Sequence, residues 1–356
     1  MKNNLPVYQY TPIIANEEIR VLRLEPAQSF AEPLVASLFV RTLYDPLDVS
    51  HPLPTYQCVS YCWGTQQDVA FIVCDRQCIE ITQNVDIMLR YLRKSRSPRN
   101  LWIDALCINQ RDDEEKSTQV GSMSRIYRSA NKVHVWLGPE SGHDHIPTVF
   151  AALKLLALDV QHSSRSILGG DQAVLQSALN SFLTRAWYTR RWVLQEVKTA
   201  RAVTVHCGPH RLSWDWVRDG IATLLKDHHD KHTPLRNTLI SADIARALEG
   251  LSLLSHHKEN FVDVFELLWY YHSNNCTDAR DRIFALYGLL PPSLDGRIHY
   301  PYSIPFTAHG HCPVDYQKHF SETYIQLATA AINYGRGQTI LNHAVMFGNL
   351  MQQNPD

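Results

Sequence analysis

Two nearly unbroken apolar runs, Leu101 to Cys107 (LWIDALC) and Val133 to Gly138 (VHVWLG), bracket a segment in which Val120, Met123, Ile126, Tyr127 and Ala130 recur at helical spacing. Runs of that kind read as strands buried on both faces, the situation of a parallel sheet covered by helices. Strand, helix and strand in that order close as a right-handed crossover, which restricts the chain to an α/β architecture. Asp112 and Glu115 form a capping-box pattern at the start of the helix. Asp104 is the anomaly, an acid inside the first run.

The remaining pattern extends this unit. Residues 17 to 24 (EEIRVLRL) alternate as a half-buried strand, Gln57 to Tyr61 is a short strand stopped by Gly64, and Phe71 to Ile81 reads as a hairpin turning near Asp75-Arg76-Gln77. A proline-rich loop occupies Asp45 to Pro54. Asn84 is placed to cap a helix carrying Val85, Met88, Leu89 and Leu92, whose end gathers Arg90, Arg93, Lys94, Arg96 and Arg99. Residues 139 to 180 read as an insertion with a helix near Ala151 to Leu158 and a break at Gly169-Gly170. A helix over Ala186 to Lys198, a strand over Ala202 to Cys207, a turn at Gly208-Pro209 and a helix from about Ser213 complete an α/β domain over 15–212. The rest, 213–356, is mostly helical, with helices at Phe261 to His272 and Arg280 to Leu290, the latter stopped by Pro291-Pro292.

Composition excludes several classes. With 34 Lys and Arg against 35 Asp and Glu, the net charge of -1 supplies no global field toward nucleic acid or an anionic bilayer, so a basic site has to be local. The longest apolar stretch, Val149 to Val160, is broken by Lys154 and falls short of the roughly 20 residues of a membrane span. Eight cysteines without an export signal read as reduced thiols of a cytoplasmic protein. The pairs Cys58/Cys62 and Cys74/Cys78 have metal-like spacing but fall in strands, where such residues stand about 13 Å apart, so no metal site is expected.

Three blocks of sequence resemble a known family. Tyr56 to Gly64 (YQCVSYCWG) is similar to the opening motif of fungal heterokaryon-incompatibility (HET) domains. Leu101 to Gly138 looks like the central block of that family, and Arg190 to Val197 (RRWVLQEV) like its R-R-x-W-x-x-Q-E segment with one residue fewer before the tryptophan. Cys58 stands where the family often has a small aliphatic residue, and Gly121 and Ser124 weaken the central helix. The resemblance implies a role in non-self recognition and regulated cell death. It also implies distant kinship with Toll/interleukin receptor (TIR) domains, hence a flavodoxin-like three-layer domain with a mainly parallel sheet, and self-association or assembly with other incompatibility proteins.

Some TIR domains hydrolyse NAD at the nicotinamide-ribose bond with a glutamate in a W-x-x-x-E pattern, which Trp192 to Glu196 matches. Residues four apart share a helix face, so Trp192 would form an apolar floor beside a catalytic Glu196. The carboxylate would orient the ribose and stabilise oxocarbenium-like charge as nicotinamide leaves. Ser60, Tyr61, Trp63, Gly64 and Asp104 end two expected strands, at the edge where open α/β sheets bind ligands, and are the substrate-binding candidates. NAD or a related nucleotide is then the substrate, and no cofactor, nucleic acid or membrane is expected.

Each candidate has a plainer reading: Glu196 as an acid paired with Arg190 or Arg191, Asp104 as a loop cap, Trp63 as packing. The corresponding functional alternative is a non-catalytic signalling module that assembles through exposed aromatics such as Trp187 and Tyr188. Burial decides: Glu196 enclosed away from any crevice favours the module, and Glu196 exposed beside Trp63 and Asp104 favours the enzyme. The Arg90 to Arg99 group and the Asp278, Arg280, Asp281 and Arg282 cluster read as a solvated helix end and a helix brace.

Overall fold

The structure is a computed structural model that describes residues 5–43, 56–64, 69–158, 172–229, 248–249, 251, 264–290, 313–333 and 335–347. The proline-rich loop, the Gly169-Gly170 break and Pro291-Pro292 lie outside the described residues. One nine-stranded sheet runs through the molecule. Its strands are β1 (Glu18–Leu24), β2 (Val35–Thr42), β3 (Gln57–Tyr61), β4 (Val69–Cys74), β5 (Gln77–Thr82), β6 (Arg99–Trp102), β7 (Val133–Trp136), β8 (Val203–Cys207) and β9 (His210–Ser213), in the order β5-β4-β2-β1-β6-β3-β7-β8-β9. The expected mainly parallel sheet is instead mixed. The stretch β6-β3-β7-β8 is continuously parallel, β1 and β9 run antiparallel beside β6 and β8 at its two ends, and farther out β2 and β4 pair parallel. Within that stretch the chain order reverses beside β3, the kind of position at which open α/β sheets bind ligands.

Local chemistry sets the elements. Asp75 and Arg76, both at positive φ, turn the β4-β5 hairpin where the sequence placed it. Helix α1 (Gln83–Leu92) is capped by Thr82, whose side chain accepts from the Val85 amide, rather than by Asn84. Asn84 is otherwise engaged, donating to the Cys62 carbonyl at 2.6 Å and accepting from Trp136 Nε1 at 3.0 Å. The run from Leu101 is strand only to Trp102; Asp104–Cys107 is a single helical turn, α2, with Asp104 Oδ1 accepting from the Ala105 amide. Asp112 caps α3 (Asp113–Gly121) as expected, but Glu115 does not bond back to it. Its carboxylate instead pairs with Arg20 at 2.6 Å and accepts from the Asn109 amide. The helix then breaks at Ser122, after Gly121, and resumes as α4 (Met123–Ser129).

The crossover from β7 to β8 contains α5 (Ile146–Ala157) and α6 (Gln172–Leu183). The helix expected over Ala186 to Lys198 is divided into a 3-10 turn at Ala186–Thr189, an extended Arg190 and a short α7 (Val193–Lys198). Arg190 is extended because it bridges to Asn275 of the C-terminal region. There follow α8 (Trp214–His229), α9 (Val264–Tyr270), α10 (Asp281–Tyr287), α11 (Phe320–Asn333) and α12 (Gly337–Phe347). Contacts of α10 with α7 and of α8 with α5 place C-terminal helices on the domain core. Trp102, Trp136, Trp187 and Arg191 are among the largest side chains enclosed.

Candidate functional site

Ser60 and Cys58 lie on the face of β3 that meets α4 and α7, while Val59 and Tyr61 point to the other. From α7, Glu196 reaches this face and is 3% exposed. The Ser60 hydroxyl donates to Glu196 Oε2 and accepts from Trp187 Nε1 at 2.7 Å. Arg190 donates to the Tyr61 carbonyl, and its charge acts on Glu196. Burial pushes the Glu196 carboxyl up to about 7, with Arg190 and the Ser60 hydroxyl pulling against it. The result is a buried acid at the edge of neutrality, tied to the 3-10 turn through one serine.

The other candidates gather a short way off, at the strand ends. Trp63 Nε1 donates to Asp104 Oδ2 at 2.8 Å, joining the ends of β3 and β6. Gly64 turns with φ +78, a conformation a side chain would strain, and a Cβ there would stand 3.3 Å from that of Asn84. Beside them opens a crevice of about 950 Å³, lined by Tyr61, Trp63, Asn109 and Gln110 together with Tyr8 and Tyr10 of the N-terminal segment. Glu196 does not line it.

Trp192 is directed elsewhere. Its Nε1 donates to Asp281 Oδ2 at 2.9 Å, and Tyr316 donates to the other oxygen of the same carboxylate. The ring therefore braces α10 instead of flooring a site at Glu196. Burial, opposed by those two donors, raises the Asp281 carboxyl to about 6. Neighbouring Asp278 accepts from the Arg280 amide and pairs with its guanidinium at 2.6 Å, which agrees with a brace. Arg191 is 1% exposed and donates to the Tyr271 carbonyl, so of the two arginines only Arg190 acts on Glu196.

Two further expectations change. Trp187 and Tyr188 are 1% and 0% exposed, so they are core and not interface anchors. The basic run after α1 is not simply solvated: Arg90 and Arg93 donate to carbonyls of residues 29 to 33, whereas Arg99 enters the sheet. Among the described residues no three His, Cys, Asp or Glu side chains gather to hold a metal, and no helix is long and apolar enough to cross a membrane. Sequence reasoning missed Trp187 as the partner of Ser60; its signal was a tryptophan just before an R-R-W segment.

Residues 56–196 match the heterokaryon incompatibility protein (HET) family. The chain is similar to heterokaryon incompatibility protein 6, OR allele, of Neurospora crassa, at 26% identity over an alignment covering 76% of this chain and 47% of the relative. It thus spans about half the length of the curated relative it matches. No solved structure matches it. The matched span begins at Tyr56, just before β3, and ends at Glu196, so it encloses Ser60, Trp187, Arg190 and Glu196.

Proposed function

From the premise that this chain carries a HET domain and is a homologue of an incompatibility protein, we propose that it acts in fungal non-self recognition as a signalling and assembly module. One observation carries this reading: Glu196 is enclosed at 3% exposure and satisfied by Ser60, away from the crevice. A carboxylate that stabilises a departing nicotinamide has to face the ribose, and Glu196 is buried and does not line the crevice. The same short network pins α7, the 3-10 turn and β3 together, which suits a module whose shape is its signal. The test is growth arrest after fusion of fungal cells expressing the chain with an incompatible strain. A folded Glu196→Gln variant keeps the arrest under this reading; loss of arrest with the fold intact contradicts it.

A second reading, NAD hydrolysis by a TIR-like domain, has its own support. It draws on the parallel stretch β6-β3-β7-β8, whose chain order reverses beside β3, on the crevice beside Trp63 at the ends of β3 and β6, and on a carboxyl near 7, which suits proton chemistry at neutral pH. It requires Glu196 to leave Ser60 and reach the crevice. Self-association is the step that would do this, and nicotinamide release by the assembled protein is its assay.

A further inference from the structure

The face of the sheet turned away from Glu196 carries a second polar group, which the incompatibility reading leaves unused. Strand register fixes it: Gln57 pairs with Leu101, Val59 with His134, Trp136 with His206, and His206 with Arg211. Residues in register, or two apart on one strand, share a face. Arg99, Gln57, His134, His206 and Arg211 therefore form one row across β6, β3, β7, β8 and β9, with Lys132 at the entrance to β7.

The row is tied at its centre and unsatisfied around it. His134 is 5% exposed, with Nε2 at 2.9 Å from Gln57 Oε1 and Nδ1 at 2.9 Å from His206 Nε2. An amide oxygen only accepts, so His134 Nε2 carries its proton toward Gln57, and Nδ1 accepts from His206. Arg99 Nη1 comes within 3.4 Å of that same Nε2, one donor facing another, and the buried Arg99 Nε has no hydrogen-bond partner. Burial and the surrounding cations drive His134 down to about 2 and His206 to about 4, so both rings are neutral at pH 7. The standing charge is that of Arg99, Lys132 and Arg211. Among the described residues the charges acting on Arg99 and Lys132 are other cations, with no carboxylate in the group.

We propose that this row binds a phosphate group, with Arg99, Lys132 and Arg211 matching its charge. A guanidinium offers N–H donors to an oxyanion in pairs, and Arg211, at the exposed end of the row, gives a phosphate its approach. Three cations match a multiply charged phosphate better than a singly charged carboxylate. A chain with net charge of -1 has no general attraction for anions, so this concentration is local. The phosphate belongs to a free polyphosphate or to a nucleotide.

Calorimetric titration of the full chain with inorganic pyrophosphate, and separately with ATP, tests the proposal. Saturable pyrophosphate binding is expected, weakened about ten-fold by Arg99→Gln or by Arg211→Gln, in line with loss of one charged contact. Arg211 is exposed, so its variant keeps the fold even if Arg99→Gln does not. Equal affinity for the two probes assigns recognition to the phosphates alone, and tighter ATP binding adds the nucleoside. Absence of saturable pyrophosphate binding, affinity unchanged in folded Arg211→Gln, or binding of a DNA oligonucleotide but not pyrophosphate would each overturn it.

Discussion

On one face of β3, Ser60 holds a buried acid between a tryptophan and an arginine; on the other, Gln57 joins a row of two imidazoles and three cations. Both faces bury charge-bearing groups, and both show the cost in displaced pKa values, Glu196 upward and His134 downward. They differ in how that cost is met. The acid face is complete, since Glu196 has a donor in Ser60 and an opposing charge in Arg190. In the basic row Arg99 keeps an unmatched donor, and its charged neighbours are cations. A displaced pKa is thus a poor guide to function by itself, and whether the surrounding groups satisfy one another is a better one.

The comparison breaks most visibly if the acid face is emptied. Glu196→Ala removes the acceptor of Ser60 and leaves Arg190 without its counter-charge, so urea unfolding should show a loss of about 3 kcal/mol. A smaller change at the same residue appears with pH. The folded-state value near 7 lies above the ordinary 4.5, so the folded protein binds more protons between those limits. Stability should therefore fall as pH rises from 4.5 to 7 and level off above; Asp281, near 6 against an ordinary 3.8, adds a slope of the same sign at lower pH. In Glu196→Gln the upper part of that decline should vanish while the Asp281 part persists, as thermal melts across pH would show.

Trp187→Phe sharpens the comparison by removing only the donor to Ser60, and should cost about 1 kcal/mol or slightly more in the same unfolding assay. The smallest effect is expected on the other face. Arg211→Gln relieves repulsion in the cationic row and should stabilise the unliganded protein by about 0.5 kcal/mol or less, more at low salt than at high salt.

Much of the fold was legible in the sequence because it rests on local signals. The run Val133 to Trp136, the Asp75-Arg76 turn and the Asp112 cap all sit where their chemistry places them. What was not legible depends on partners distant in sequence. The strand β2, with its mixed burial, is specified by pairing along β1, and β9 by pairing with β8. The apolar run through Asp104 continues past the strand because a helical turn buries Leu106 and Cys107 equally well. At the site, the sequence brought forward Ser60 and Glu196, which do meet, and Trp63 and Asp104, which also meet. It did not separate these into two places, nor turn Trp192 toward Asp281, because spacing along a helix gives the face of a residue and not its partner. The basic row had only a faint signal, polar residues at alternate positions within apolar strands.

The central claim is that Glu196 serves the fold and not a reaction. Nicotinamide release from NAD, followed with the parent protein and Glu196→Gln at concentrations where both are shown to be assembled, tests it most directly. The account predicts no release from either protein. Release by the parent that disappears in a folded Glu196→Gln variant would contradict it and restore Glu196 as a catalytic carboxylate.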